Sequence, residues 1–372
     1  MKVAVLTSSR ADYGIYLPLL RAMQADPFFD VSLIAFGTHL SRLHGYTVDA
    51  IRQDGFMIDH IVENVLPNDS PADISASMAL AGSGFSGVWD KAHDQYDLVL
   101  CLGDRYEMFS AVSAGVPYNI RFAHIHGGET TLGAIDNKFR DCLTIFSALH
   151  FTSTEAHAKR VAQIRGNDHG VFTVGALSLD NLETVSLLSA DDFQRKYNID
   201  MRRPTILVTF HPETEAPATN EKNAQELVNA LAAFDGRQII ITMPNADTFS
   251  NAMRNVYHQF AASAGNVVLV ENFGTDGYFS CMNLCELVAG NSSSGIIEAA
   301  SMHKYVVDIG DRQKGRSVSM NVIHSAANAA AIIDAIKLAL SYGPFTGDNI
   351  YFRNGAARSI VNILKNENTG SV

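Results

Sequence analysis

The sequence predicts an α/β protein of two Rossmann-like domains whose parallel sheets face an interdomain cleft. Three observations carry that expectation. The chain has 372 residues, which at roughly 150 residues per domain suggests two cores. Short β-branched or aliphatic runs alternate with amphipathic stretches, the pattern of βα units that build a parallel sheet. The runs also fall into two sets, separated by the polar stretch Leu177–Arg203, which is read as the hinge. Apolar residues make up 47% and charged residues 18%, ordinary globular usage that excludes a disordered or fibrous chain. The balance of 28 Lys+Arg against 39 Asp+Glu gives −11. Such a charge weighs against a protein that coats nucleic acid or an anionic membrane, but it leaves room for a local phosphate site.

Taken in order, the first set of expected strands is Lys2–Thr7, Val31–Phe36, Ile58–Val62, Asp97–Leu102, Arg121–Ile125, His150–Thr152 and Val171–Val174. The second is Thr205–Thr209, Gln238–Thr242, Asn266–Val270, Leu287–Ala289 and Tyr305–Ile309. Domains over 1–180 and 200–345 follow, with a last helix near Ala356–Leu364, in the segment 350–372, packing back on the first domain. Asn68–Gly87 is dense in Ser, Ala, Gly and Asp and reads as a loop leading into a helix. The opening apolar run is too short for a signal sequence, and no stretch approaches the ~20 apolar residues that span a bilayer. A cytoplasmic location with no membrane partner is therefore expected. Cys101, Cys142, Cys281 and Cys285 include no CxxC pair, and Cys281 and Cys285 lie four apart inside an expected helix. Buried free thiols are the reading, rather than metal ligands or a disulfide.

Ligands of open parallel sheets bind outside the carboxyl ends of strands, so the residues just after each run carry the chemistry. After the first strand, Thr7-Ser8-Ser9-Arg10-Ala11-Asp12-Tyr13-Gly14 supplies small residues for close backbone approach and an Arg10 placed either to grip a phosphate or to cap the sheet. After the fourth, Gly103 precedes Asp104, which serves as acid, base or ligand holder, or equally as an N-cap. The fifth runs into His124-Ile125-His126-Gly127-Gly128-Glu129, followed by Asp136. His124 and His126 at i and i+2 share a face, and the glycines turn Glu129 back towards it. Two imidazoles also raise a metal site, which still needs a carboxylate or a third histidine. In the second half, His211 is held extended by Pro212. Gly290-Asn291-Ser292-Ser293-Ser294-Gly295 is a strand, a small polar loop and a helix start, suited to a diphosphate, with Glu298 one turn inside to accept ribose hydroxyls. Gly310-Asp311-Arg312-Gln313-Lys314-Gly315-Arg316 then groups three cations in one loop. Neither Gly-x-Gly-x-x-Gly nor the Walker pattern occurs, so nicotinamide enzymes and P-loop NTPases lose support and a nucleotide-sugar remains.

These clusters, in this order and across nearly the whole chain, resemble the hydrolysing UDP-N-acetylglucosamine 2-epimerases of sialic and legionaminic acid biosynthesis. The resemblance implies a GT-B fold, a homodimer, no redox cofactor, no metal, and UDP held mainly by the second domain. It implies loss of UDP by elimination to 2-acetamidoglucal, then hydration with inverted configuration at C2 to release free N-acetylmannosamine. By the same resemblance Arg10, His211, Ser292, Ser293 and Arg316 bind the UDP phosphates, Glu298 holds the ribose and Phe273 stacks near uracil. Asp104 and Asp136 become the catalytic carboxylates. Some relatives carry Glu where this chain has His126, so His126 or Glu129 takes the role of that carboxylate. An imidazole titrates near pH 6.5 and acts as a base unaided, which favours Asp104 and His126 around C2, with Asp136 assisting hydration. Relatives with the same His-Ile-His-Gly-Gly-Glu motif act on UDP-2,4-diacetamido-2,4,6-trideoxyglucose, the alternative substrate. A GT-B glycosyltransferase, a metal-dependent hydrolase on His124 and His126, and a UDP-sugar sensor are more distant alternatives.

Overall fold

The computed structural model describes residues 1–42, 45–66, 68–244 and 250–368. The chain divides into two compact units. One comprises Met1–Glu129, Asp136–Thr184 and the segment from Tyr351 onward, and the other Thr130–Ile135 and Val185–Ile350.

In the first unit β1 (Lys2–Thr7), α1 (Arg10–Gln24), β2 (Asp30–Phe36), α2 (Val48–Gln53), β3 (Ile58–Val62), α3 (Pro71–Ala92), β4 (Leu98–Leu102), α4 (Tyr106–Gly115), β5 (Phe122–Ile125), α5 (Asp136–Phe146), β6 (Leu149–Thr152), α6 (Glu155–Arg165), β7 (Val171–Thr173) and the short α7 (Asn181–Thr184) follow one another. The seven parallel strands lie in the order β3-β2-β1-β4-β5-β6-β7. Side chains alternate across a strand, so each run feeds two cores. Val3, Val5, Leu33, Ala35, Leu98 and Leu100 pack with Tyr16, Leu19 and Leu20 of α1 on one face. Ala4, Leu6, Ile34, Phe36, Val99 and Cys101 pack with Phe85 and Trp89 of α3 and Met108 of α4 on the other. Both faces are covered, which is why these strands read as continuous apolar runs.

The second unit contains α8 (Ala190–Tyr197), β8 (Thr205–Thr209), α9 (Asn220–Leu231), β9 (Gln238–Thr242), α10 (Ser250–Ser263), β10 (Val267–Val270), α11 (Gly274–Leu284), β11 (Leu287–Gly290), α12 (Ser293–Ile297), β12 (Val306–Ile309), β13 (Val322–Ser325) and α13 (Ala329–Ser341). Its parallel sheet runs β10-β9-β8-β11-β12-β13. The last helix, α14 (Ala356–Asn368), sends Ala356, Ala357, Ile360, Val361 and Leu364 into the core of the first unit. The Asp180 carboxylate accepts from the backbone N–H of Ala356 (3.1 Å) and Ala357 (2.7 Å), capping α14 from a distant stretch of chain. Two parallel-sheet α/β domains of seven and six strands are the GT-B type of fold.

Three expectations need correction. Asn68–Gly87 is mostly helix: Ser70 and Asp73 form a capping box, Pro71 opens the first turn, and Gly84 lets α3 close on Val62, where a Cβ would come within 2.5 Å. β13 escaped notice because only Val322 and Ile323 are apolar and both are half-buried at the sheet edge. The stretch Leu177–Arg203 contains the crossing from the first unit to the second, between Thr184 and Val185, and its two parts are built into their own units: Leu177 and Leu179 are buried in the first and Phe193 of α8 in the second. Finally, Cys142 is half-buried on α5, whereas Cys101, Cys281 and Cys285 are buried; all four thiols are free, and Cys285 follows α11 rather than lying inside it.

Candidate active site

In each all-parallel sheet the order in which successive strands are added reverses between two neighbours, β1 and β4 in the first unit and β8 and β11 in the second. The turns after those four strands flank the switch points, where open parallel sheets bind ligands. All four carry clusters singled out in the sequence.

In the first unit the β1–α1 turn is organised by Asp12. Its carboxylate accepts from the Thr7 hydroxyl (2.6 Å), the Ser8 hydroxyl (2.7 Å) and the Ser8 N–H (2.9 Å). Ser9 caps α1 reciprocally with Asp12, so Arg10 becomes the first helical residue. Buried His39 supports the same turn, with Nε2 2.9 Å from the Thr7 hydroxyl and Nδ1 2.8 Å from that of Thr47; burial holds its pKa below the usual imidazole value.

After β4, Gly103 takes φ +78° and hands the chain to Asp104. Asp104 is not the N-cap of α4, a position held by Arg105. Its carboxylate instead pairs with Arg140 of α5, whose side chain is 2% exposed. The same guanidinium donates to the Glu129 carbonyl at 2.9 Å. One buried cation thus ties Asp104 to the His-x-His-Gly-Gly-Glu segment, and the sequence reading missed it because nothing near Arg140 in sequence announces a partner 36 positions away.

His124 and His126 do not share a face. His124 is the third residue of β5, fully buried, with Nε2 2.8 Å from the Gly103 carbonyl and Nδ1 3.2 Å from the Thr144 hydroxyl. Burial pulls its pKa down to about 4, so it is a neutral structural ring. His126 lies past the strand in the left-handed region at φ +65°, where strand alternation no longer applies. Its Nδ1 meets Glu129 Oε1 at 2.8 Å and Ser153 Oγ at 3.0 Å, and Ser153 Oγ donates to Glu129 Oε1 at 2.9 Å. His126 Nε2 is buried and has no protein hydrogen-bond partner. Facing an acceptor-only carboxylate, Nδ1 carries the ring proton, which leaves the lone pair on Nε2. Glu129 therefore fixes which nitrogen of the ring carries the proton. Asp136 is half-buried at the start of α5, close in sequence to Arg140.

Between Glu129 and Asp136 the chain belongs to the second unit. There Leu132 donates its N–H to the Lys314 carbonyl (3.0 Å) and Ile135 to the Thr214 hydroxyl (2.9 Å). A Cβ on Gly133 would come within 2.5 Å of the Asp311 carbonyl, so only glycine allows the approach.

In that unit Asn291 clamps the backbone of His211, donating to its carbonyl at 2.9 Å and accepting from its N–H at 2.7 Å. The Asn291 carbonyl accepts from Arg312 (3.1 Å) and Gln313 (2.7 Å), which joins the serine turn to the cationic loop. Buried Glu213 closes the frame by accepting from the Asp311 N–H at 2.8 Å; burial raises its pKa. Arg316 donates to Gln313 Oε1 at 2.8 Å, whereas Lys314 is an exposed partner of Asp311. Ser292 caps α12, and Ser294 sits 2.6 Å from the hydroxyl of Tyr278, a site member that the sequence reading missed. The helix has five residues, so it offers N–H groups and hydroxyls more than a macrodipole. Glu298 is not inside it but just beyond its end, and is buried. Phe273 is buried against Phe193 and Tyr197, with ring centroids at 5.3 and 5.0 Å.

Among the described residues no group of three or more His, Cys, Asp or Glu side chains is placed to hold a metal ion, and no helix is long and apolar enough to cross a membrane.

Comparison with known proteins agrees with this fold. The chain is 33% identical over 98% of its length, and 93% of the other protein, to the polysialic acid biosynthesis protein P7 of Escherichia coli. It is 31% identical over 98% of its length to the hydrolysing UDP-N,N'-diacetylbacillosamine 2-epimerase of Legionella pneumophila, of which 95% is covered. The crystal structure of the Neisseria meningitidis UDP-GlcNAc 2-epimerase, bound to UDP-GlcNAc, shares the fold with a TM-score of 0.81 at 18% identity, over 98% of this chain and all of that one. The family model described as UDP-N-acetylglucosamine 2-epimerase matches residues 21–365, and the chain belongs to that family.

Proposed function

We propose that this protein is a hydrolysing 2-epimerase that converts UDP-N-acetylglucosamine and water to UDP and N-acetylmannosamine in the cytoplasm, as a homodimer supplying nonulosonic acid synthesis. In this reading His126 Nε2 removes the C2 proton, the electron pair forms the C1–C2 double bond, and the bond from C1 to the diphosphate oxygen breaks. Water then adds its oxygen to C1 and a proton reaches C2 from the opposite face. Arg10, His211, Ser292, Ser293 and Arg316 neutralise the departing diphosphate, Glu298 holds the ribose and Phe273 borders the uracil. Asp104, paired with Arg140, and Asp136 serve the hydration half. Glu129 holds the imidazole.

The observation that carries the reading is the oriented imidazole: Nδ1 tied to Glu129 and Nε2 buried with no protein partner. A weakly acidic C–H requires a base of this kind within hydrogen-bond reach. Incubation with UDP-N-acetylglucosamine in heavy water is expected to give UDP and free N-acetylmannosamine with deuterium at C2, read by NMR. An inverted sugar still attached to UDP would reject the hydrolytic course, and protium at C2 would reject elimination. A second reading, the same reaction on UDP-2,4-diacetamido-2,4,6-trideoxyglucose, is favoured by the names of relatives from Legionella pneumophila and Campylobacter jejuni. Parallel assays with both sugars decide between them by the ratio of kcat/KM.

A further inference from the structure

We propose that Ser153 is a positioning residue of the base, holding the His126–Glu129 pair in the one protonation pattern that leaves Nε2 free to accept a proton. The inference rests on the function proposed above for His126, but its geometry stands independently. Ser153 follows β6 and is 1% exposed. His126 Nδ1, Glu129 Oε1 and Ser153 Oγ form a triangle with edges of 2.8, 2.9 and 3.0 Å. Two protons are available for these three contacts when the imidazole is neutral and the carboxylate ionised. With one on Nδ1 and one on Oγ, both donate to Glu129 Oε1. The opposite tautomer would set the Nδ1 lone pair against the carboxylate at 2.8 Å, which is repulsive. Ser153 strengthens the choice by giving Glu129 a second donor, so the carboxylate oxygen stays put rather than turning towards another partner.

The end of β6 grips His126 twice. The Phe151 carbonyl accepts its backbone N–H at 3.0 Å, and Ser153 meets its ring. That double hold helps maintain the left-handed backbone at His126, a conformation a bulky residue adopts only where its surroundings impose it. The charged and titratable groups around the pair are Glu129 itself, Arg140 at the Glu129 carbonyl (2.9 Å), Arg160 of α6 at the same carbonyl (3.4 Å), Asp104 beside Arg140, Asp141 beside Arg160, and buried His124. Removing the Ser153 donor concentrates negative charge on Glu129 Oε1, which then favours the imidazolium more strongly. The change is read in the acid limb of kcat/KM.

The test uses the full chain labelled with 15N-histidine, as wild type, S153A and S153T, the His126 signal being assigned by its loss in H126Q. Wild type is expected to show the Nδ1–H tautomer and S153A a mixture. S153A should also lose about tenfold in kcat with KM changed less than about twofold, and its acid limb of kcat/KM should move to higher pH; S153T, which keeps a hydroxyl, should restore all three. An unchanged tautomer and acid limb in S153A would overturn the proposal, whatever its effect on stability. If the wild type turned over neither UDP-sugar, the proposed function would fall while the tautomer measurement still decided the role of Ser153.

Discussion

His126 and His124 stand two positions apart, yet one is a buried neutral strut and the other an oriented ring with an unpartnered nitrogen. The difference arises at a single φ angle, because β5 ends at Ile125 and the Gly-Gly turn begins with His126 in the left-handed region. Gly128 is obligatory in that turn: a Cβ there would lie 2.2 Å from the His157 carbonyl. Asp104→Asn and Asp136→Asn are expected to lower turnover by at least tenfold while leaving UDP affinity within about twofold, measured by steady-state kinetics and calorimetry. Arg10→Ala and Ser292→Ala should do the reverse, weakening UDP binding by roughly 10- to 150-fold, since a charge-assisted contact to phosphate is worth about 1.5–3 kcal/mol. The opposite pattern would mean that the roles of these two groups of residues are exchanged. Asp104, His126, Glu129, Ser292 and Arg316 could be proposed from the sequence because each lies in an unusual cluster following a strand. Arg140, Ser153 and Tyr278 were not, since each meets its partner only through the fold.

Among the elements, α14 shows how much of a small unit's stability hangs on a returning helix. Ile360 and Leu364 are fully buried in the core shared by β1, β2, β4 and α1. The cap from Asp180 satisfies two N–H groups that α14 would otherwise leave unpaired. Leu364→Ala should cost roughly 2–5 kcal/mol in urea unfolding, and Asp180→Ala about 1 kcal/mol. A cost below about 1 kcal/mol for Leu364→Ala would show that this contact is loose. The helix itself was readable from its periodicity, whereas its distant cap was not.

At the scale of the whole molecule, buried groups within the two sheets respond to acid in opposite directions. In the first, burial pulls His124 down to about 4 and His150 to about 3, below the unfolded value near 6.5. The unfolded state binds the protons first, so the stability these rings contribute is present above about pH 6.5 and is lost as pH falls. The loss amounts to roughly 2 kcal/mol per imidazole between about pH 6.5 and about pH 5. In the second, burial raises Asp308 to about 6, above the unfolded carboxylate value, and the Glu213 carboxyl is also raised. Their contributions run the other way, present at low pH and fading as pH rises through the folded pKa. Hydrogen exchange at about pH 5 against about pH 7 should therefore show protection lost in β5 and β6 and kept in β11 and β12. Equal loss in both sheets would contradict this division.

The sequence by itself determined the strand runs, the two-domain α/β class and the strand-end clusters, because continuous burial on both faces of a parallel sheet imposes long apolar runs and leaves chemistry only at their ends. It could not decide that His124 is a buried strut while His126 keeps an unpartnered ring nitrogen, that Thr130–Ile135 joins the second unit, or that Arg140 anchors Asp104. Those depend on a backbone torsion at one turn and on which buried charges meet across 36 positions of chain, and local periodicity carries no information about either.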